Sequence, residues 1–94
     1  MAKSIISAEK QCYICGSHRM IEEHHVFGGP DRKTSERYGL KVPLCKYCHN
    51  EPPNGVHQNA ENRQKLQAYV QGIAMKHYGW DMATWRSIFG RNYL

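Results

Sequence analysis

The chain has 94 residues, with 13 lysines and arginines against 8 acidic residues and a formal net charge of +5. That length holds one domain, 1–94, with a thin core, a size at which bound zinc commonly makes up for missing apolar burial. Hydrophobic residues are 40% of the total and no apolar run approaches membrane-spanning length, so no membrane partner is expected, while the positive excess suits an anionic one such as nucleic acid.

Met1-Ala2-Lys3-Ser4-Ile5-Ile6 carries one basic residue and a very short apolar step, which does not read as a secretory signal. A cytoplasmic, reducing compartment is expected, where paired cysteines hold metal more often than they form disulfides. Residues 1–11 read as a polar lead-in with a short strand at Ile5-Ile6; Lys3 and Lys10 read as solvated, with phosphate contact as the alternative. Cys12-Tyr13-Ile14-Cys15 is the first of two Cys-x-x-Cys pairs, and Cys45-Lys46-Tyr47-Cys48 is the second. The spacing predicts that Cys12, Cys15, Cys45 and Cys48 bind one structural zinc. Gly16 suits a left-handed turn behind the first pair. With four thiolates filling a tetrahedral ion, His18 is expected to be exposed.

Met20 to Phe27 is predicted as a strand, with Glu22, His24 and Val26 on one side and Glu23, His25 and Phe27 on the other. Gly28-Gly29-Pro30-Asp31 signals a turn. Asp31 to Arg37 is charged and aperiodic, and reads as an exposed loop whose Arg32, Lys33 and Arg37 are candidates for DNA phosphate contact; a merely solvated loop is the alternative. Leu40-Lys41-Val42-Pro43-Leu44 predicts the second strand of a hairpin, with Pro43 at an edge. Asn50 to Gly55 breaks regular structure. Asn59 is placed to cap a helix whose buried stripe would be Leu66, Tyr69, Val70, Ile73, Ala74 and His77, ending at Gly79. A short helix within 81–90, capped by Asp81 and stopped by Gly90, carries Trp85, Ile88 and Phe89. Trp80 and Trp85 are read as packing anchors. The outcome is a small α+β domain with its core over 12–78 and an additional short C-terminal helix.

Three stretches together carry a family resemblance: Glu23-His24-His25, then Leu44-Cys45-Lys46-Tyr47-Cys48-His49, then Gly55-Val56-His57. Over Cys12 to His57 and the following helix, the chain resembles the HNH endonucleases, the ββα-metal or His-Me finger nucleases. The resemblance implies a zinc-stapled hairpin plus helix that hydrolyses DNA phosphodiester bonds. It implies His25 as general base and His24, His49 and His57 as ligands of a catalytic divalent metal. A competing register would make Glu23 the ligand and His24 the base. The implied cofactors are structural Zn²⁺ and a catalytic Mg²⁺, Mn²⁺ or other divalent ion. An all-histidine site suits Mn²⁺, Ni²⁺, Co²⁺ or Zn²⁺ better than Mg²⁺. Glu22 or Glu23 is available as a carboxylate partner for an imidazole N–H.

The four-cysteine, paired-histidine variant is similar to small phage-encoded members, among them recombination-enhancement nucleases that depend on a recombinase filament. That likeness implies double-stranded DNA as a partner, a recombinase filament as another, and action in a bacterial host cytoplasm; with no base-reading helix of a known type in the sequence, weak sequence selectivity is expected. One departure stands out. The family's central Asn would fall near Leu40, and no Asn occurs between His25 and Cys45. Either a backbone group or Tyr38 fastens the loop behind the base, or the base is poorly oriented and the enzyme slow. Two rival readings remain: a non-catalytic zinc module that binds DNA or protein, and a phage accessory with a decayed site.

Overall fold

The computed structural model describes residues 3–94, so Met1 and Ala2 of the lead-in lie outside the described residues. The alternating segment Ile21–His25 forms strand β1. It pairs antiparallel with β2, Lys41–Cys45, in a register running from Ile21↔Cys45 to His25↔Lys41. The sheet has these two strands only among the described residues. Pro43 is therefore on an edge strand, where its missing N–H is tolerated.

The hairpin connection differs from expectation. After a 3-10 turn at Gly29–Asp31, residues Arg32–Tyr38 form helix α1 instead of an exposed loop. Ser35 is fully buried within it. Its hydroxyl donates to Phe27 O at 2.7 Å and accepts from Phe27 N–H at 3.1 Å. Those two bonds reward the helical turn, which a scan for apolar periodicity cannot register. Arg32, Lys33 and Arg37 stay exposed on its outer side. Ile5-Ile6 also departs from expectation: it is no strand. Ile5 N–H makes a single bond to Gly39 O at 3.0 Å, and both isoleucines pack against the core.

Gly39 ends α1 in the left-handed region at φ 72°, and a Cβ there would collide with Lys3 O. Gly79 ends a later helix at φ 69° with open space around it. Gly39→Ala should therefore cost at least about 2 kcal/mol and lower Tm by roughly 8–16 °C, whereas Gly79→Ala should cost about half that. Thermal melts of the two variants decide it; equal shifts would mean that the Lys3 carbonyl yields freely.

Beyond β2 come α2, Lys46–His49, then α3, Ala60–Tyr78, and α4, Met82–Phe89. The expected caps are in place: Asn59 accepts from Asn62 N–H, and Asp81 accepts from Thr84 N–H. The buried face of α3 is Leu66, Val70, Gln71 and Ala74. Tyr69 and His77, assigned above to the buried stripe, are exposed, and Ile73 is half-buried. The stripe turns because the C-terminal tail covers Gln71. The Gln71 amide donates to Asn92 Oδ1 at 2.9 Å, and its oxygen accepts from Tyr93 N–H at 2.7 Å. Trp85 is fully buried and stacks on Phe89, with Phe27 against both rings. Trp80 packs on Tyr38 and Tyr78. One core cluster joins Val42 and Leu44 of the hairpin to Val56, Val70 and Trp85. The molecule is thus a small α+β fold built on an antiparallel hairpin. Among the described residues no helix is long and apolar enough to cross a membrane.

Candidate functional site

The base of the hairpin gathers the cysteines. Tyr13 N–H donates to Pro43 O at 2.8 Å, which lays the first Cys-x-x-Cys along β2. Gly16, at φ 80°, makes the left-handed turn behind it and donates to Cys12 O. Cys45 ends β2 and caps α2, and Cys48 lies inside α2. The sulfurs of Cys12, Cys15, Cys45 and Cys48 lie within 4.8 Å of one another, and all four residues are free thiols. Cys15 Sγ and Cys45 Sγ are 3.6 Å apart. A tetrahedral zinc with Zn–S near 2.3 Å needs sulfurs about 3.8 Å apart, so the set has the right dimensions. Its electrostatics agree. Burial raises the Cys12 thiol, but N–H groups of Cys15, Cys45 and Ile14 outweigh it and bring the pKa down to about 6. Cys48 is pushed up, first by burial and then by the sulfurs around it. The Cys12 thiolate forms readily, and Cys48 resists ionising beside it without a cation between them. The cluster is compatible with a structural zinc.

A second group stands next door. His24 on β1 is buried and faces His49, the last residue of α2, and His57, in the segment before α3. Ring centroids are 5.0 Å apart for His24–His49 and for His24–His57, and 4.7 Å for His49–His57. Two backbone bonds hold His57 there: Val56 N–H to Cys48 O at 2.8 Å, and His57 N–H to His49 O at 3.1 Å. Glu22 Oε1 lies 2.9 Å from His49 Nδ1. A carboxylate accepts only, so Nδ1–H is the donor in that contact, and it leaves His49 Nε2 on the side of His57 Nε2, 3.0 Å away.

His24 Nε2 is buried with no hydrogen-bond partner, and it is the one such side-chain atom among the described residues. Burial first, then the charges of His49, His57 and His25, lowers its pKa to about 3, so the ring is neutral. His57 is lowered as well, by burial, then His49, then Arg63. Three imidazoles gathered together, one with an orphaned buried nitrogen, fit a divalent metal. Nitrogens bound at about 2.1 Å to one ion stand roughly 3–3.4 Å apart, matching the His49–His57 separation.

His25 and Glu23 belong to the other face of β1. His25 Nε2 is 3.2 Å from Glu36 Oε1. Lys41 Nζ lies 2.6 Å from Glu36 Oε2 and 3.4 Å from Glu23 Oε2. Glu23, His25 and Glu36 are close enough to hold a metal, but the two carboxylates already share the Lys41 ammonium. Tyr38 does not fasten the loop behind His25. Its ring packs on Tyr78 and Trp80, and its carbonyl accepts from Tyr78 Oη–H. Ser35, through Phe27, ties that loop instead.

His18 is exposed, as expected. Arg32, Lys33 and Arg37 lie on α1, apart from the histidine trio in sequence and element. Sequence reasoning missed Arg63, whose guanidinium donates to Val56 O at 3.2 Å beside His57. An arginine in the first turn of a polar helix reads as surface and gives no signal of this contact. It also missed Ser35 and Glu36, whose partners lie eight and eleven residues away.

No protein-family model, curated protein or solved structure matches the chain.

Proposed function

We propose that the protein is a metal-dependent DNA endonuclease of ββα-metal, HNH type, in which His24, His49 and His57 hold the divalent ion and His25 is the general base. The observation that carries this reading is buried His24, with its orphaned Nε2, grouped with two further imidazoles, and His25 as the next residue of the strand on its opposite face. A divalent ion held there would offset phosphodiester charge and stabilise the departing oxygen. His25 would take a proton from the attacking water, a task suited to an imidazole near neutral pH. Glu22 would orient His49, and Arg63 would offer a guanidinium to the phosphate. Glu23 is engaged with Lys41, which supports His24 over Glu23 as the ligand. Cys48, as a ligand of a structural zinc, would keep its neighbour His49 in place.

Nicking of supercoiled plasmid across Mg²⁺, Mn²⁺, Co²⁺, Ni²⁺ and Zn²⁺ tests the proposal. Metal-dependent nicking supports it. DNA binding without cleavage under any of these ions would favour the non-catalytic zinc module.

DNA affinity should be mainly electrostatic, given the net charge of +5 and three exposed cations on α1. Removing Arg32, Lys33 and Arg37 together should reduce the slope of log K against log salt by roughly 2.7, about 0.9 for each phosphate no longer neutralised. The loss should be alike for several duplex sequences. Anisotropy titrations across salt concentrations measure it. An unchanged slope would remove α1 from the interface, and a strong preference for one sequence at moderate salt would contradict weak selectivity.

A further inference from the structure

We propose that Glu36 is the positioning residue for the base: it holds the His25 proton on Nε2, so that Nδ1 is the nitrogen that receives a proton from water. The proposal rests on the reading of His25 as the base. Glu36 Oε1 is 3.2 Å from His25 Nε2. An ionised carboxylate has no proton to give, so Nε2 is the donor in this contact. The Glu36 carboxyl is held below its ordinary range, by the bond from Lys41 first and the bond from His25 second. Lys41 is the cross-strand register partner of His25, and its side chain is only 5% exposed. Its ammonium is enclosed and keeps the second carboxylate oxygen at 2.6 Å. Glu36 is thereby fixed from both sides, one oxygen on each partner. Its neighbour Ser35 is bonded to the backbone of Phe27, two residues beyond His25, so α1 is tied to the strand it orients.

The other ring nitrogen is available. Among the described residues His25 Nδ1 has no hydrogen-bond partner, and it is not one of the buried partnerless atoms. It therefore reaches solvent. In the chemical step an O–H bond of water breaks, its proton goes to Nδ1, and the oxygen lone pair forms the new P–O bond. The electron pair of the old P–O bond leaves with the departing oxygen. The resulting imidazolium keeps its Nε2–H on the Glu36 carboxylate, which offsets the new charge, and Nδ1 returns its proton to solvent.

Ring ¹⁵N spectra of the zinc-loaded protein at about pH 8, where an ordinary imidazole is neutral, read the tautomer directly. The His25 signals are assigned by their loss in His25→Ala. The expected result is Nε2–H in the unmodified protein, and Nδ1–H there would overturn the proposal. In Glu36→Gln an amide replaces the carboxylate; the tautomer should become mixed or reversed. Its kcat for nicking should fall at least about tenfold, with KM and calorimetric metal affinity held within about twofold. An unchanged tautomer, or a change in metal affinity alone, would remove Glu36 from this role. Should that variant fail to fold, Glu36→Gln with Lys41→Met takes its place, since it removes both partners of the ion pair. Absence of nicking by the unmodified protein would count against the nuclease reading, while the spectra would still decide which nitrogen carries the proton.

Discussion

His25→Ala should bind a divalent ion and DNA as the unmodified protein does, yet nick plasmid about a hundredfold more slowly or worse, the usual size of a general-base contribution. His24→Ala should fail differently, losing metal affinity and recovering part of its activity when metal is raised. The contrast follows from placement. His24 faces His49 and His57, whereas His25 is bonded to Glu36 on the other face of the strand. Removing the His25 ring leaves the three-imidazole set whole, and removing the His24 ring takes away its buried member. Calorimetric metal titration paired with plasmid nicking reads both properties. Metal binding kept but nicking lost in His24→Ala, with metal affinity lost in Glu23→Ala, would establish the competing register, in which Glu23 is the ligand and His24 the base. Nicking unaffected by either substitution would identify the cleavage as contamination and leave the non-catalytic reading.

Stripping zinc should abolish the cooperative melting transition, and Cys45→Ser should do the same without a chelator. Structural zinc in small domains contributes about 10–16 kcal/mol of apparent binding free energy, comparable to the whole stability of about 5–15 kcal/mol expected of such a chain. Cys45 is the most exposed to this logic. It is buried, ends β2, caps α2, and stands 3.6 Å from Cys15 across the site. Metal analysis should find one tightly held zinc per chain. Disulfides by mass spectrometry, or an identical melt after chelation, would sink the idea.

Much of this arrangement was legible in the sequence because local rules govern it. The Cys-x-x-Cys pairs, the alternating strands, the Asn59 and Asp81 caps and the Gly79 and Gly90 stops are all decided within a few residues of themselves. The clustering of His24, His49 and His57 was reached through a resemblance to known nucleases, not through spacing. What stayed hidden depends on distant partners. Helix α1 has no apolar stripe and owes its form to Ser35 reaching Phe27 and to Gly39. Gln71 reads as a surface residue until the tail brings Asn92 and Tyr93 to it. Lys41 reads as the polar member of an alternating strand, yet it is buried because Glu23 and Glu36 converge on it. In each case a polar side chain is taken from water by a partner outside its own helix or strand, which the periodicity of a single segment does not report.

The backbone rungs that join Cys48 to Val56 and His49 to His57 also separate the position of the last histidine from the length of chain preceding it. The segment 50–55 leaves and returns through the same two hydrogen bonds. Lengthening such a closed loop costs only logarithmically in chain entropy, about 0.6 kcal/mol for each doubling. A few residues could be gained there while His57 keeps its distance from His49. Shortening is less free, because Gly55 already turns against Glu51, whose backbone lies 2.6 Å from where a Cβ would be. The interval between the second cysteine pair and the final histidine is therefore a tolerant dimension of this architecture, and a search pattern with a rigid gap at that point would pass over chains that share the same three-dimensional site.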